Sequence, residues 1–179
     1  MTVTDSDLVG RVRRGDLAAY GELVQRHRAT LERYAYQLLG TREDAEDALQ
    51  ESLLRGYHAI GQCEQPDRFR AWLLRIVINR CRTRLSRRDP VVRDIAAQHA
   101  IEHATAPDAT DGISWRDEIE RALASLAPEQ REAFLLKHVE ELSYDEIASL
   151  TGVSVPALKM RVNRACERLR AELEDVYHG

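Results

Sequence analysis

The chain has 179 residues, 44% of them hydrophobic, and 26 Lys and Arg against 30 Asp and Glu give a net charge of −4. That length suits one large or two small domains, and the apolar content is ordinary for a globular fold. No apolar run approaches the ~18 residues of a membrane span, and the start, MTVTDSDLVGRVRRGD, lacks the apolar core of a signal peptide, so a cytoplasmic protein without membrane insertion is expected. Cys63, Cys81 and Cys166 form no CxxC pair, and the six His show no HExxH spacing, so no metal, cofactor or disulfide framework is expected.

Leu, Ala, Arg and Glu dominate, Gly and Pro are few, and no alternating Val/Ile/Thr run demands a strand, which predicts an all-α fold. Residues 6–40 read as helical with a break at Gly15-Asp16, and Leu23, His27, Leu31, Tyr34 and Leu38 share one face. Gly40-Thr41 ends that segment, and Thr41 with Asp44 can cap the next helix, over 42–60, whose inner side carries Ala45, Ala48, Leu49, Ser52 and Leu53. A polar loop, GQCEQPD, follows over 61–67, and a further helix spans 69–87. Residues 89–114 change character, with two prolines and small polar residues, and read as a flexible linker with room for a short helix over 92–104. Helices over 115–126 and 129–138 flank a stop at Ala127-Pro128. The expected architecture is an N-terminal helical bundle over 1–88, a linker over 89–114 and a C-terminal helical domain over 115–179.

Residues 143–170 carry the sharpest local signal. Ser143 and Glu146 have the spacing of a capping box, Gly152 suits a helix C-terminus, and Pro156 falls in the first turn of a second helix. Leu158, Val162, Ala165 and Leu169 repeat on one face of that helix, while Met160, Asn163 and Glu167, flanked by Lys159 and Arg164, lie opposite. A helix with apolar residues behind and amide and cationic groups in front suits the DNA major groove, and the pair reads as a helix-turn-helix.

Charge is segregated along the chain. Asp44, Asp47 and Glu51 fall at spacings of three and four on one helix face, an acidic stripe suited to a basic protein partner. The stretch FRAWLLRIVINRCRTRLSRR mixes aromatics with arginines, a pattern that serves single-stranded DNA. Phe69 and Arg75 are its candidate contacts, and Trp72, beside Leu73 and Ile76, is expected in the core. The competing reading is an ordinary helix-turn-helix regulator with a helical sensing domain. A regulator of the phosphorylated-receiver type would need a βα pattern with an Asp after a strand, which residues 1–88 lack.

In order, DAEDALQES, FRAWLLRIVIN and LAPEQREAFLLKHVEELSYDEIASLTGVSVPALKMRVNRACERLR resemble the extracytoplasmic-function sigma factors, the two-domain group of the sigma-seventy family. The resemblance covers residues 6–88 and 115–175. It implies a dissociable promoter-recognition subunit of RNA polymerase that is not an enzyme. Position by position, it implies that Asp44, Asp47, Gln50 and Glu51 bind the clamp of the largest polymerase subunit. It gives residues 62–68 and Asn79 to a flipped base of the minus-ten element, and Arg80, Arg84, Arg87 and Arg88 to the phosphates beside it. Lys159, Met160, Asn163 and Arg164 take the positions that read the minus-thirty-five element, with Arg161 and Arg168 on phosphates. An anti-sigma factor is the further implied partner. The chain departs from the family pattern at Pro156-Ala157, where Gly-Thr is common, at Met160, where Ser is frequent, and at Tyr57, where Trp is frequent. Cys63, inside the predicted base-capture loop, is expected to be a cysteine without a redox role.

Overall fold

The computed structural model describes residues 3–87 and 115–177, so the predicted linker, its short helix and Arg88 lie outside the described residues. Every regular element among the described residues is helical, and the chain divides into two compact units, Met1–Arg88 and Asp89–Gly179.

The first unit is built from α1 (Asp5–Arg13), α2 (Leu17–Leu39), α3 (Arg42–Ala59) and α4 (Phe69–Arg87). Thr4 and Asp7 close a capping box at the start of α1, and Asp16 caps α2 by accepting the Ala19 N–H at 3.2 Å. Gly15 (φ 93°) makes the break predicted there. Gly40 (φ 80°) ends α2 in the left-handed conformation, where its N–H reaches the Tyr36 carbonyl at 2.8 Å. Thr41 then caps α3, accepting the Asp44 N–H and donating to its carboxylate at 2.9 Å. Leu8, Leu23, Leu31, Tyr34, Leu38, Leu49, Leu73, Val77 and Ile78 are fully or almost fully buried between these helices. Deleting any one of these Leu or Ile side chains to Ala would cost about 2–5 kcal/mol. Between α3 and α4 the chain makes two 3₁₀ turns, Ile60–Gln62 and Pro66–Arg68.

The second unit holds α5 (Trp115–Ser125), α6 (Pro128–Phe134), α7 (Tyr144–Thr151) and α8 (Val155–Tyr177). Pro128 opens α6 at a position where its missing N–H costs nothing. Arg131 is buried and donates from Nη2 to the carbonyls of Ala124 and Leu126, joining the end of α5 to α6. The sequence predicts one regular helix over 129–138. Instead the α-helix stops at Phe134 and Leu135–Val139 widen into a π-type turn, in which the Glu140 N–H reaches back to the Leu135 carbonyl at 3.0 Å. The wider turn accompanies full burial of two consecutive side chains, Leu135 and Leu136. Glu141 then takes a left-handed φ of 57°, and the Leu142 N–H closes the corner on the Leu136 carbonyl at 3.0 Å.

Candidate polymerase and nucleic-acid interfaces

The helices α3 and α4 pack along each other, and their polar flanks meet. On α3, Ala45, Ala48, Leu49, Ser52 and Gly56 face inward, leaving Asp44, Asp47 and Glu51 on one flank and Gln50 exposed beside them. On α4, Leu73, Leu74, Val77, Ile78 and Cys81 face inward. The arginines of α4 therefore fall on two different faces. Arg75 and Asn79 lie exposed on the side away from the core, while Arg80 and Arg84 lie on the flank next to α3.

Arg84 is the centre of that flank. Its guanidinium meets Asp44 at 3.1 Å, Asp47 at 3.3 Å and Glu51 at 2.8 Å, and Arg80 adds a longer contact to Glu51 at 3.7 Å. Burial works against the charge on Arg84, but Glu51, Asp44 and Asp47 outweigh it and raise its pKa above the ordinary arginine value. Three carboxylates against two guanidiniums leave the stripe net negative, so the network orders the acidic face without cancelling it. The family resemblance implies phosphate contacts for Arg80 and Arg84; in the folded chain both are engaged with α3. Arg87, one turn on, is exposed.

Phe69 must be reassigned. Its side chain is fully buried, with its ring 5.8 Å from both His27 and Trp72, so it has no face to offer a base. Burial is not visible in a local motif, so an aromatic at the first position of α4 suits DNA contact by its chemistry alone; the packing of α2 against α4 decides otherwise. His27 is held in turn by the Asp5 carboxylate at 2.6 Å. The loop before Phe69 behaves differently. Cys63 is fully buried and Ile60 nearly so, whereas Gln62, Glu64, Gln65, Asp67 and Arg68 are exposed. Burial raises the Cys63 thiol pKa, and its S–H points to the Gln65 carbonyl at 3.7 Å.

In the second unit, the capping box forms at α7: the Glu146 N–H is held by Ser143 Oγ at 3.2 Å and the Ser143 N–H by Glu146 at 2.8 Å. Gly152, at φ 72°, turns the chain, and the Leu158 N–H donates to the Ser154 carbonyl at 2.9 Å, opening the next helix. Leu158, Val162, Ala165 and Leu169 are buried, and Lys159, Met160, Asn163 and Arg164 are exposed, with Arg161 half-buried at the edge. Arg168 pairs with Glu172 at 3.2 Å on the same helix. One feature escaped the sequence reading: the side chains of Lys137 and Lys159 both lie over the Tyr144 ring, 5.1 and 5.8 Å from its centroid. Among the described residues no group of three or more His, Cys, Asp or Glu is placed to hold a metal ion.

Comparison with known families gives two matches. The family model for sigma-70 region 2 matches residues 23–91, and that for sigma-70, region 4 matches residues 116–169. RNA polymerase sigma factor CarQ of Myxococcus xanthus is 32% identical over 167 residues, 93% of this chain and 95% of its own. The chain belongs to the sigma-70 family, in its extracytoplasmic-function group. ECF RNA polymerase sigma factor SigE of Mycolicibacterium smegmatis is 35% identical over 87% of this chain, which spans 63% of the length of SigE. Among solved structures, CnrH in complex with the cytosolic domain of CnrY is 28% identical, with a TM-score of 0.65 over 96% of this chain and 97% of that one. As a sigma factor, the chain associates with RNA polymerase in transcription initiation and binds DNA through the helix-turn-helix of α7 and α8. The region 2 match also removes the regulator reading, because it assigns the N-terminal helices to sigma function rather than to sensing. No helix among the described residues is long and apolar enough to cross a membrane.

Proposed function

We propose that this sigma factor divides its work among three surfaces. The acidic flank of α3, with Asp44, Asp47, Gln50 and Glu51, docks on a basic surface of the polymerase clamp. Arg84 and Arg80 hold its carboxylates in a row, so their first role is to shape the docking stripe. The outward face of α4, with Arg75 and Asn79, and the polar loop before it capture a base extruded from the minus-ten element, with Arg87 and Arg88 along the phosphates. Lys159, Met160, Asn163 and Arg164 read the minus-thirty-five element in the major groove, Met160 by apolar contact of the kind a thymine methyl accepts. Arg161 and Arg168 stand beside them as phosphate ligands. Residues 115–179 form the upstream reading domain, and residues 89–114 join it to the first.

The observation that carries this reading is the division of α4 into two faces. One face lies against the acidic flank of α3 and the other, with Asn79, points away from the core. A single helix thus abuts a protein-binding surface and a DNA-facing surface. The chain performs no covalent chemistry of its own in this scheme; it works by binding, in the cytoplasm where the polymerase acts. CnrH is solved in complex with the cytosolic domain of CnrY, and that likeness supports a regulatory protein partner here, the place of the anti-sigma factor that the family resemblance implies. The docking assignment is tested by a pull-down with core polymerase. Asp47→Arg places a cation in the stripe and should lower the affinity by about tenfold or more, the scale of a like-charge contact in an interface. Undiminished binding would show that the polymerase docks elsewhere.

A further inference from the structure

We infer that Arg13, at the end of α1, is a positioning residue for base selection by the loop over residues 60–68. This rests on the proposal that the loop captures a minus-ten base. Arg13 sits in the last turn of α1, and α1 packs against both 3₁₀ turns that bound the loop. Its Nη2 donates to the Cys63 carbonyl at 2.5 Å and reaches the Ile60 carbonyl at 3.5 Å. These are the two residues whose side chains are buried beneath the loop. The Ile60 carbonyl also accepts the Cys63 N–H at 3.2 Å, and the Gln65 carbonyl accepts the Arg68 N–H at 2.9 Å.

The loop therefore has an inner rail, Ile60 and Cys63, tied to α1 by one guanidinium. Its outer row, Gln62, Glu64, Gln65, Asp67 and Arg68, is exposed. The orientation of the Cys63 carbonyl sets the peptide plane leading into Glu64, and so where Glu64 and Gln65 project. Amide and carboxylate groups of this kind discriminate bases by directional hydrogen bonds, which tolerate little misplacement. Arg13 need not touch DNA to act; it fixes the frame from which the outer row reads.

The test is run-off transcription by holoenzyme reconstituted from core polymerase and the full chain. The template is a promoter mapped on genomic DNA, made with each of the four bases at every minus-ten position. Arg13→Gln should reduce the preference for the favoured base at one position by about tenfold, the scale of one good base contact, while core binding and thermal midpoint hold. Arg13→Lys, which keeps a charged donor, should restore part of the preference. An equal loss of transcription across all four bases overturns the inference, because it marks a general fold or phosphate role. Gln62→Ala and Gln65→Ala separate the two levels. If they flatten the preference and Arg13→Gln does not, only the positioning role fails. If neither they nor Arg13→Gln alters it, the loop does not read the base and the proposal beneath the inference fails as well.

Discussion

At the scale of single residues, burial decides roles that chemistry alone leaves open. Phe69 and Asn79 sit in the same helix and both suit contact with unstacked bases, yet Phe69 is buried and Asn79 is exposed. Tyr20 is a second case, with an edge contact to Tyr57 at 5.2 Å and its hydroxyl donating to the Leu53 carbonyl at 2.5 Å. Burial pushes its pKa up from 10.0 to about 12, so the fold favours the neutral phenol. That contribution to stability is complete below pH 10 and is lost as the pH rises toward about 12. Tyr20→Phe should cost roughly 1 kcal/mol at neutral pH, the net worth of one hydrogen bond. It should also weaken the fall in stability between pH 10 and about pH 12, measured by urea unfolding. An unchanged fall would mean that Tyr20 does not set the alkaline limit.

At the scale of elements, the helices were legible in the sequence because their ends carry specific chemistry. The capping box at α7, the Thr41 cap of α3 and the left-handed Gly40 and Gly152 each mark a boundary within a few residues, whereas the Thr4–Asp7 box of α1 emerges only in the structure. The π-type turn over Leu135–Val139 was not legible, since its apolar pattern matches a regular helix and only the packing of Leu135 and Leu136 shows the widening. The Arg84 network was half legible. Asp44, Asp47 and Glu51 fall on one face of α3 and Arg80 and Arg84 on one face of α4, but nothing local reveals that the two helices bring these rows together. The same division of α4 predicts the behaviour of its outward face. Asn79→Ala should reduce transcription from a duplex promoter more than from one already melted over the minus-ten region, because capture of a flipped base offsets a few kcal/mol of unstacking only when melting is needed. Equal losses on the two templates would remove base capture as a driver of opening.

At the scale of the whole molecule, a net charge of −4 looks unsuited to a DNA-binding protein. Its distribution resolves the difficulty: acid is concentrated on α3, and base on α4 and along α8 through Lys159, Arg161, Arg164, Arg168 and Arg170. A free chain of this kind gains little from phosphate contacts in total, and the docking proposed above would cover the acidic flank of α3. The two proposed DNA readouts on one chain would reinforce each other by effective concentration, provided both elements are spanned at once. Family membership was legible because three motifs occur in one order, and the helix-turn-helix alone could not have separated a sigma factor from a regulator. The measurement that tests this account most directly is run-off transcription on genomic DNA with purified core polymerase, with and without the chain. A discrete set of start sites should appear only when the chain is added, sharing one minus-ten and one minus-thirty-five sequence at fixed spacing. An identical transcript pattern in its presence and absence would contradict it.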